Sequence, residues 1–214
     1  MTTRIARAAG ILLALAGAAA VAPQAHATTF VPLSTENLAD VATMIIEGEV
    51  LEIWTEIDDS GNIWTQARVQ VDDVWKGAEV PEELVISSIG GTYGTRTMNV
   101  EGAAVFSVGE PLVAFLHRDG HDRLVPIGKF HGKFTVRRAT GDTEPHLRRW
   151  HAKRGQAFDH RFLPHLPAER RMYLTDVEDL VRSHLAQPWD GHEIPGVDPA
   201  LLDRVNTPAA RIVR

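Results

Sequence analysis

The chain has 214 residues, no cysteine and a formal net charge of −6. Lacking cysteine, it has no thiol catalysis, no cysteine-ligated zinc and no iron–sulfur cluster, and its stability must come from an apolar core rather than from disulfides. The charge is uneven: residues 28–137 carry 8 basic and 17 acidic side chains, net −9, whereas 138–214 stand at net +1, so the acidic half repels a phosphate backbone and nucleic acid is not an expected partner.

Arg4 and Arg7 precede an apolar run over 11–21, and Ala25-His26-Ala27 fits a small-x-small cleavage pattern. This predicts a signal peptide over 1–27, a mature chain beginning near Thr28 with net charge −8, and export to the periplasm or the exterior. The run is shorter than the ~20 apolar residues a spanning helix requires. No later stretch is long and apolar enough, so no transmembrane segment is expected after cleavage.

Ser34 is placed to cap a short helix through Ala42, with Leu38, Val41 and Ala42 on one face and Glu36 in the first turn. The stretch 44–77 follows, two long β-type runs around Asp58-Asp59-Ser60-Gly61-Asn62. In the first run Met44, Ile46, Gly48 and Val50 alternate on even positions, then Leu51 and Ile53 on odd ones, which requires a bulge near Val50–Leu51. Gly48 within a strand predicts a bend or a close backbone approach. In the second run Ile63, Thr65, Ala67, Val69 and Val71 alternate, and the next apolar residue is Val74, so Asp72-Asp73 is the expected second bulge. Two long, bent, adjacent strands are what a small barrel needs to close its sheet.

Further strands are predicted over 84–89, over 93–100, at Val105–Val108, over 111–117, in the hairpin return 123–127, and over 128–137. The fold class expected is mainly β, an OB-like small β-barrel over 28–138. Residues 139–172 hold basic pairs and scattered histidines without a clear period, and read as a basic irregular insertion. A C-terminal helix over 173–187 is predicted to pack on the barrel, with Thr175 and Glu178 as a capping box and Leu174, Val177, Leu180, Val181 and Leu185 as its apolar stripe. A proline-rich tail over 188–214 contains one helix-like fragment, 199–205.

The order of a short helix, IIEGEVLEI, ARVQVDDVWKG, LVISSIGG, the strand 109–116, GKFHGKFTV and LTDVEDLVRSHL is similar to a family of uncharacterised exported bacterial proteins. More remotely it resembles netrin-like modules, the OB-type barrels of tissue inhibitors of metalloproteinases. The resemblance implies the barrel and a non-enzymatic role. It does not carry the inhibitor activity, which uses a mature N-terminal cysteine where this chain is expected to start at Thr28.

Candidate chemistry is sparse. His117, His121 and His131 with Asp119 or Asp122 have zinc-ligand types without a recognised spacing; the competing reading is a set of turn and edge-strand side chains. Residues 58–62 lack the full calcium-loop pattern, and 128–134 lack P-loop spacing. Ser87, Ser88 and Ser107 lack the nucleophile-elbow glycines. No cofactor is expected. Trp54 and Trp64 fall off the apolar phase of their strands and are the candidate binding residues; alternatively they pair across the hairpin or lie under the C-terminal helix. The expectation is an exported binding module for a protein or peptide partner, with a metal-dependent hydrolase as the alternative.

Overall fold

The computed structural model describes residues 33–138, 140–149 and 172–211. The predicted signal peptide and most of the predicted insertion lie outside them. Helix α1 (Thr35–Val41) begins where Ser34 Oγ accepts from the Asn37 backbone N–H at 3.1 Å, and it buries Leu38, Ala39, Asp40 and Val41.

Strands β1 (Met44–Ile57) and β2 (Ile63–Lys76) form the long hairpin. Asp58 Oδ1 accepts from the N–H groups of Ser60 and Asn62, and Gly61 takes φ 80°, a value that suits glycine. Both expected slips occur. Val50↔Val69 is followed by Glu52↔Arg68, leaving Leu51 unopposed; Glu47↔Asp73 is followed by Gly48↔Val71, leaving Asp72 extra. A third slip, at Trp75, lies between Ile45↔Lys76 and Ile46↔Val74. A Cβ on Gly48 would sit 2.1 Å from the Gln70 carbonyl oxygen, so β2 lies where a side chain would have to be.

Strand β3 (Glu83–Ile89) follows as expected. The strand expected over 93–100 is instead a separate hairpin, β4 (Gly91–Tyr93) with β5 (Arg96–Met98), because Gly94 at φ 58° reverses the chain. The strand expected at Val105–Val108 does not form: residues 103–107 belong to no strand, and 108–109 turn into the next one. Strand β6 (Pro111–Arg118) turns through 119–123 into β7 (Leu124–Pro126). The single strand expected over 128–137 is a 3-10 turn (Lys129–Gly132) followed by β8 (Lys133–Arg137); left-handed Gly128 and Lys129 break the extended path. Phe130 and Phe134 therefore do not share a strand. Within the stretch read as irregular, β9 (His146–Arg149) pairs with β8 and with β10 (Met172–Tyr173).

Helix α2 (Leu174–Leu185) carries the predicted stripe, except that Leu180 is exposed. The capping box does not form. The helix starts one residue before Thr175, Tyr173 is its N-cap without a side-chain bond, and Glu178 binds Arg182 instead. Helix α3 (Pro199–Val205) matches the predicted fragment and is capped by Asp198.

The architecture is mainly β. One 8-stranded mixed sheet runs β1-β2-β3-β7-β6-β8-β9-β10, and β1 also pairs with β6, so the pairings from β1 through β2, β3, β7 and β6 return to β1. The β3–β7 contact is parallel and has one registered pair, Ile86↔Leu124. Strand β6 separates two cores. Its Leu112, Ala114 and Leu116 face Ile46, Val50, Ala67, Val69 and Ile86. Its Val113 and Phe115 face Trp75, Phe134 and the helices through Leu38, Val177, Val181 and Leu202. Each of the larger aliphatic and phenylalanine side chains among them contributes about 1.5–3 kcal/mol by leaving water. Among the described residues no helix is long and apolar enough to cross a membrane.

Candidate functional site

The register of β1, β2 and β3 sets three rows on the face opposite the Val50–Ala67–Ile86 core: Glu52–Arg68–Val85, Trp54–Gln66–Ser87 and Glu56–Trp64–Ile89. A cleft of about 1230 Å³ lies against these rows and the β6–β7 hairpin. Trp54, Glu56, Gln66, Val85 and Ser87 line it, Arg123 stands across from them, and Leu201 and Arg204 of α3 close another side.

The cleft wall is hydrogen-bonded in series. The Trp54 indole N–H donates to Glu56 Oε1 at 2.6 Å, the Gln66 amide donates to Glu56 Oε2 at 3.4 Å, and Ser87 Oγ donates to Gln66 Oε1 at 2.6 Å. Gln66 and Ser87 are buried, so these bonds satisfy groups that would otherwise be costly. They also hold the Trp54 ring in place, half-buried at the cleft surface.

Trp64 has a different part. Its indole N–H donates to Asp58 Oδ2 at 2.9 Å, and the Arg123 guanidinium lies 3.6 Å over its ring. Arg123 Nε also donates to Asp119 Oδ2 at 2.8 Å, and its Nη1 lies 3.6 Å from Asp58. Trp64 is thus a covered buttress joining the β1–β2 turn to the β6–β7 hairpin. The two indoles are not opposed: Trp54 faces Gln66, and Trp64 faces Glu56. Helix α2 covers neither, since it packs on the core behind β6. Asp58 is held down to about 2, first by the Trp64 indole N–H and then by the Asn62 backbone N–H. With both oxygens engaged inside its own hairpin, it serves the turn.

The histidines and aspartates considered for a metal are not gathered into one site. Asp119 accepts from the backbone N–H groups of His121 and Arg123 and from the Arg123 side chain. Asp122 pairs with Arg118 at 3.1 Å. His117 is half-buried at the end of β6, where desolvation lowers its pKa. His121 is exposed in the turn. His131 is buried in the 3-10 turn with its ring edge-on to Phe130. Among the described residues no group of three or more His, Cys, Asp or Glu side chains is gathered as a metal site.

A second polar cluster, absent from the sequence reading, lies where α1, α2 and α3 meet β2. Asp40 is fully buried and accepts from Arg211 Nη1 on one oxygen and bonds His184 Nε2 on the other, both at 2.8 Å. His192 Nε2 lies 3.6 Å from the same oxygen as His184. Lys76, also fully buried, donates to the Ala39 carbonyl at 2.8 Å and to Asn206 Oδ1 at 3.4 Å. Desolvation, reinforced by Arg211 and opposed by Asp40, brings Lys76 down to about 7. Arg211 completes the cluster through Asn206 Oδ1 and the His184 carbonyl. This cluster fastens the C-terminal segment to α1. The one sequence signal for it was an aspartate at position 40 between the apolar Leu38 and Val41.

Comparison of the chain with known protein families and with curated proteins found no match.

Proposed function

We propose that this chain is an exported, non-enzymatic binding module built on an OB-like barrel, and that it takes a protein or peptide partner in the cleft beside Trp54. The observation that carries the reading is the position of the cleft. It lies against the outer face of β1–β3, beside the hairpin turn 119–123, with a fixed indole at its surface. A five-stranded, partly open ring that binds on the face of its second and third strands is the OB-type arrangement. The returning β1–β2–β3–β7–β6 pairings and the single β3–β7 contact support it. Netrin-like modules share that architecture. A half-buried tryptophan held by its own hydrogen bond suits protein recognition, because little side-chain freedom is lost on contact.

The test is photo-crosslinking in cells that export the full chain. A photoreactive side chain at Val85, on the cleft floor, is expected to give discrete adducts that a Trp54→Ala change removes. The same side chain at Leu180, exposed on α2, is expected to give none. Equal adducts from both positions, or adducts indifferent to Trp54→Ala, would overturn the reading.

A further inference from the structure

The backbone of β3 has an open edge toward the cleft. The Gly90 N–H donates to the Ile63 carbonyl at 2.7 Å, and the Val71 N–H donates to the Glu82 carbonyl at 2.8 Å. These bonds bracket the β2–β3 ladder, whose register is continuous from Trp64↔Ile89 to Gln70↔Glu83. In an antiparallel ladder the exchanged bonds fall on every second residue. Leu84, Ile86 and Ser88 therefore direct their N–H and C=O toward β2, and Glu83, Val85 and Ser87 direct theirs away from it. On that far side the pairing with β7 is Ile86↔Leu124 alone, and by the same parity it engages the Val85 carbonyl and the Ser87 N–H. The Glu83 N–H and C=O and the Val85 N–H are left facing the gap between β3 and the β6–β7 hairpin. Val85 and Ser87, on either side of that bridge, line the cleft.

The rim carries both signs of charge, divided between its two sides. Asp119 and Asp122 are neutralised by Arg123 and Arg118. Glu56 and Glu79, which line the cleft on the sheet side, and Glu82 beside it have no ion-pair partner among the described residues, nor has Arg204 on the α3 side, so the acidic charge lies toward β1–β3. We infer that the occupant of the cleft is an extended, basic peptide segment that adds to the open edge of β3, with one side chain on Trp54 and a Lys or Arg toward Glu56 and Glu79. This rests on the cleft being the binding site. Strand addition draws affinity from main-chain bonds and specificity from alternate side chains, which fits an edge with unpaired groups and a face with one aromatic anchor. A folded partner presenting a convex surface would leave the Val85 N–H unpaired and desolvated, so the edge selects against it.

The probe is a displayed library of random decapeptides, panned on the full mature chain. Enrichment of Lys- or Arg-bearing sequences is expected. For one enriched peptide, backbone N-methylation on one alternate set of residues should weaken binding at least tenfold, and on the other set less than threefold. Glu56→Gln with Glu79→Gln should weaken it about threefold to tenfold at low salt, with the loss shrinking as salt is raised. Val85→Pro on the protein removes the open N–H and should reproduce the methylation loss. Because that variant could disturb β3, the peptide-side methylation stands as the independent measure. Enrichment of acidic peptides, or binding that survives methylation in both phases, overturns the inference. If the library yields nothing while Val85 crosslinks in cells, strand addition falls and the cleft reading stands; if neither occurs, both fall.

Discussion

Asp40→Ala is the sharpest test of how the C-terminal segment is held. The carboxylate is fully buried and answers Arg211 directly, with Lys76 close enough to feel both. Removing it leaves a buried guanidinium with neutral acceptors only, Asn206 Oδ1 and the carbonyls of His184 and Leu185. Breaking a buried pair from one side costs about 3–5 kcal/mol. With a urea m-value of about 2 kcal/mol/M for a chain of this size, the midpoint should fall by about 2 M. Arg211→Ala alone should cost less, because Asp40 keeps His184 and the nearby Lys76. The double variant should recover about 1–3 kcal/mol relative to the sum of the singles. A loss under about 1 kcal/mol for Asp40→Ala, or additivity within about 0.5 kcal/mol, would refute the claim that these groups act as one buried ion cluster. Lys76 supplies a pH test of the same cluster. Its folded value is about 7 against an ordinary 10.5, so between those limits the unfolded chain binds a proton that the folded chain does not. Stability should therefore rise with pH through that window, at up to about 1.4 kcal/mol per pH unit, and Lys76→Met should remove that slope.

Other expectations follow from single observations. Gly48→Ala places a Cβ 2.1 Å from the Gln70 carbonyl oxygen, and backbone must move; a loss of about 1–3 kcal/mol is expected by thermal unfolding, and a neutral result would mean the β1–β2 approach is looser than described. Asp58, held down to about 2 by the Trp64 indole N–H, should leave the Trp64 indole proton resonance unmoved between pH 7 and pH 4, with its shift appearing only near pH 2; a midpoint near 4 would contradict the hydrogen bond. Glu47 is raised, first by burial and then by Glu178, Asp73 and Asp72. Its charged form thus costs stability at neutral pH, so Glu47→Gln should raise the thermal midpoint at pH 7, and the advantage should vanish as acid protonates the wild-type side chain.

The hairpin 44–77 was legible because β-structure writes itself in period 2, and a slip shows as a change of parity. Leu51 and Asp72 each lie between apolar residues that reveal such a change. The slip at Trp75 has only Lys76 and Gly77 beyond it, so no later alternation exposes it. The β4–β5 hairpin was hidden because its strands are three residues long and carry almost no apolar pattern. The same holds for β9, a four-residue strand rich in arginine whose place depends on pairing with β8. At the site, phase alone placed Trp54 and Trp64 off the apolar face. It could not say which stays open, because Arg123 reaches Trp64 from a hairpin almost 60 residues away. The Asp40 cluster joins positions 40, 76, 184, 206 and 211, a separation over which no local period carries information.

Helix α3 connects the two arrangements. Its Leu202 packs into the core behind β6, and Asn206, just past its end, bonds Lys76, Arg211 and the Asp40 carbonyl. Its Leu201 and Arg204, on the other side, close the cleft. A seven-residue helix is too short to be stable alone, so its position is set by what it is fastened to. The buried ions, which contribute to stability only as a matched set, thereby fix one wall of the candidate site. Trp54 and Gln66, by contrast, are positioned by the β1–β2 ladder and their own hydrogen bonds, with no contribution from that cluster. The cleft accordingly has one wall built on a rigid sheet and another held by an ion cluster whose Lys76 is brought down to about 7, and a partner seated between them contacts parts of the chain with different stabilities.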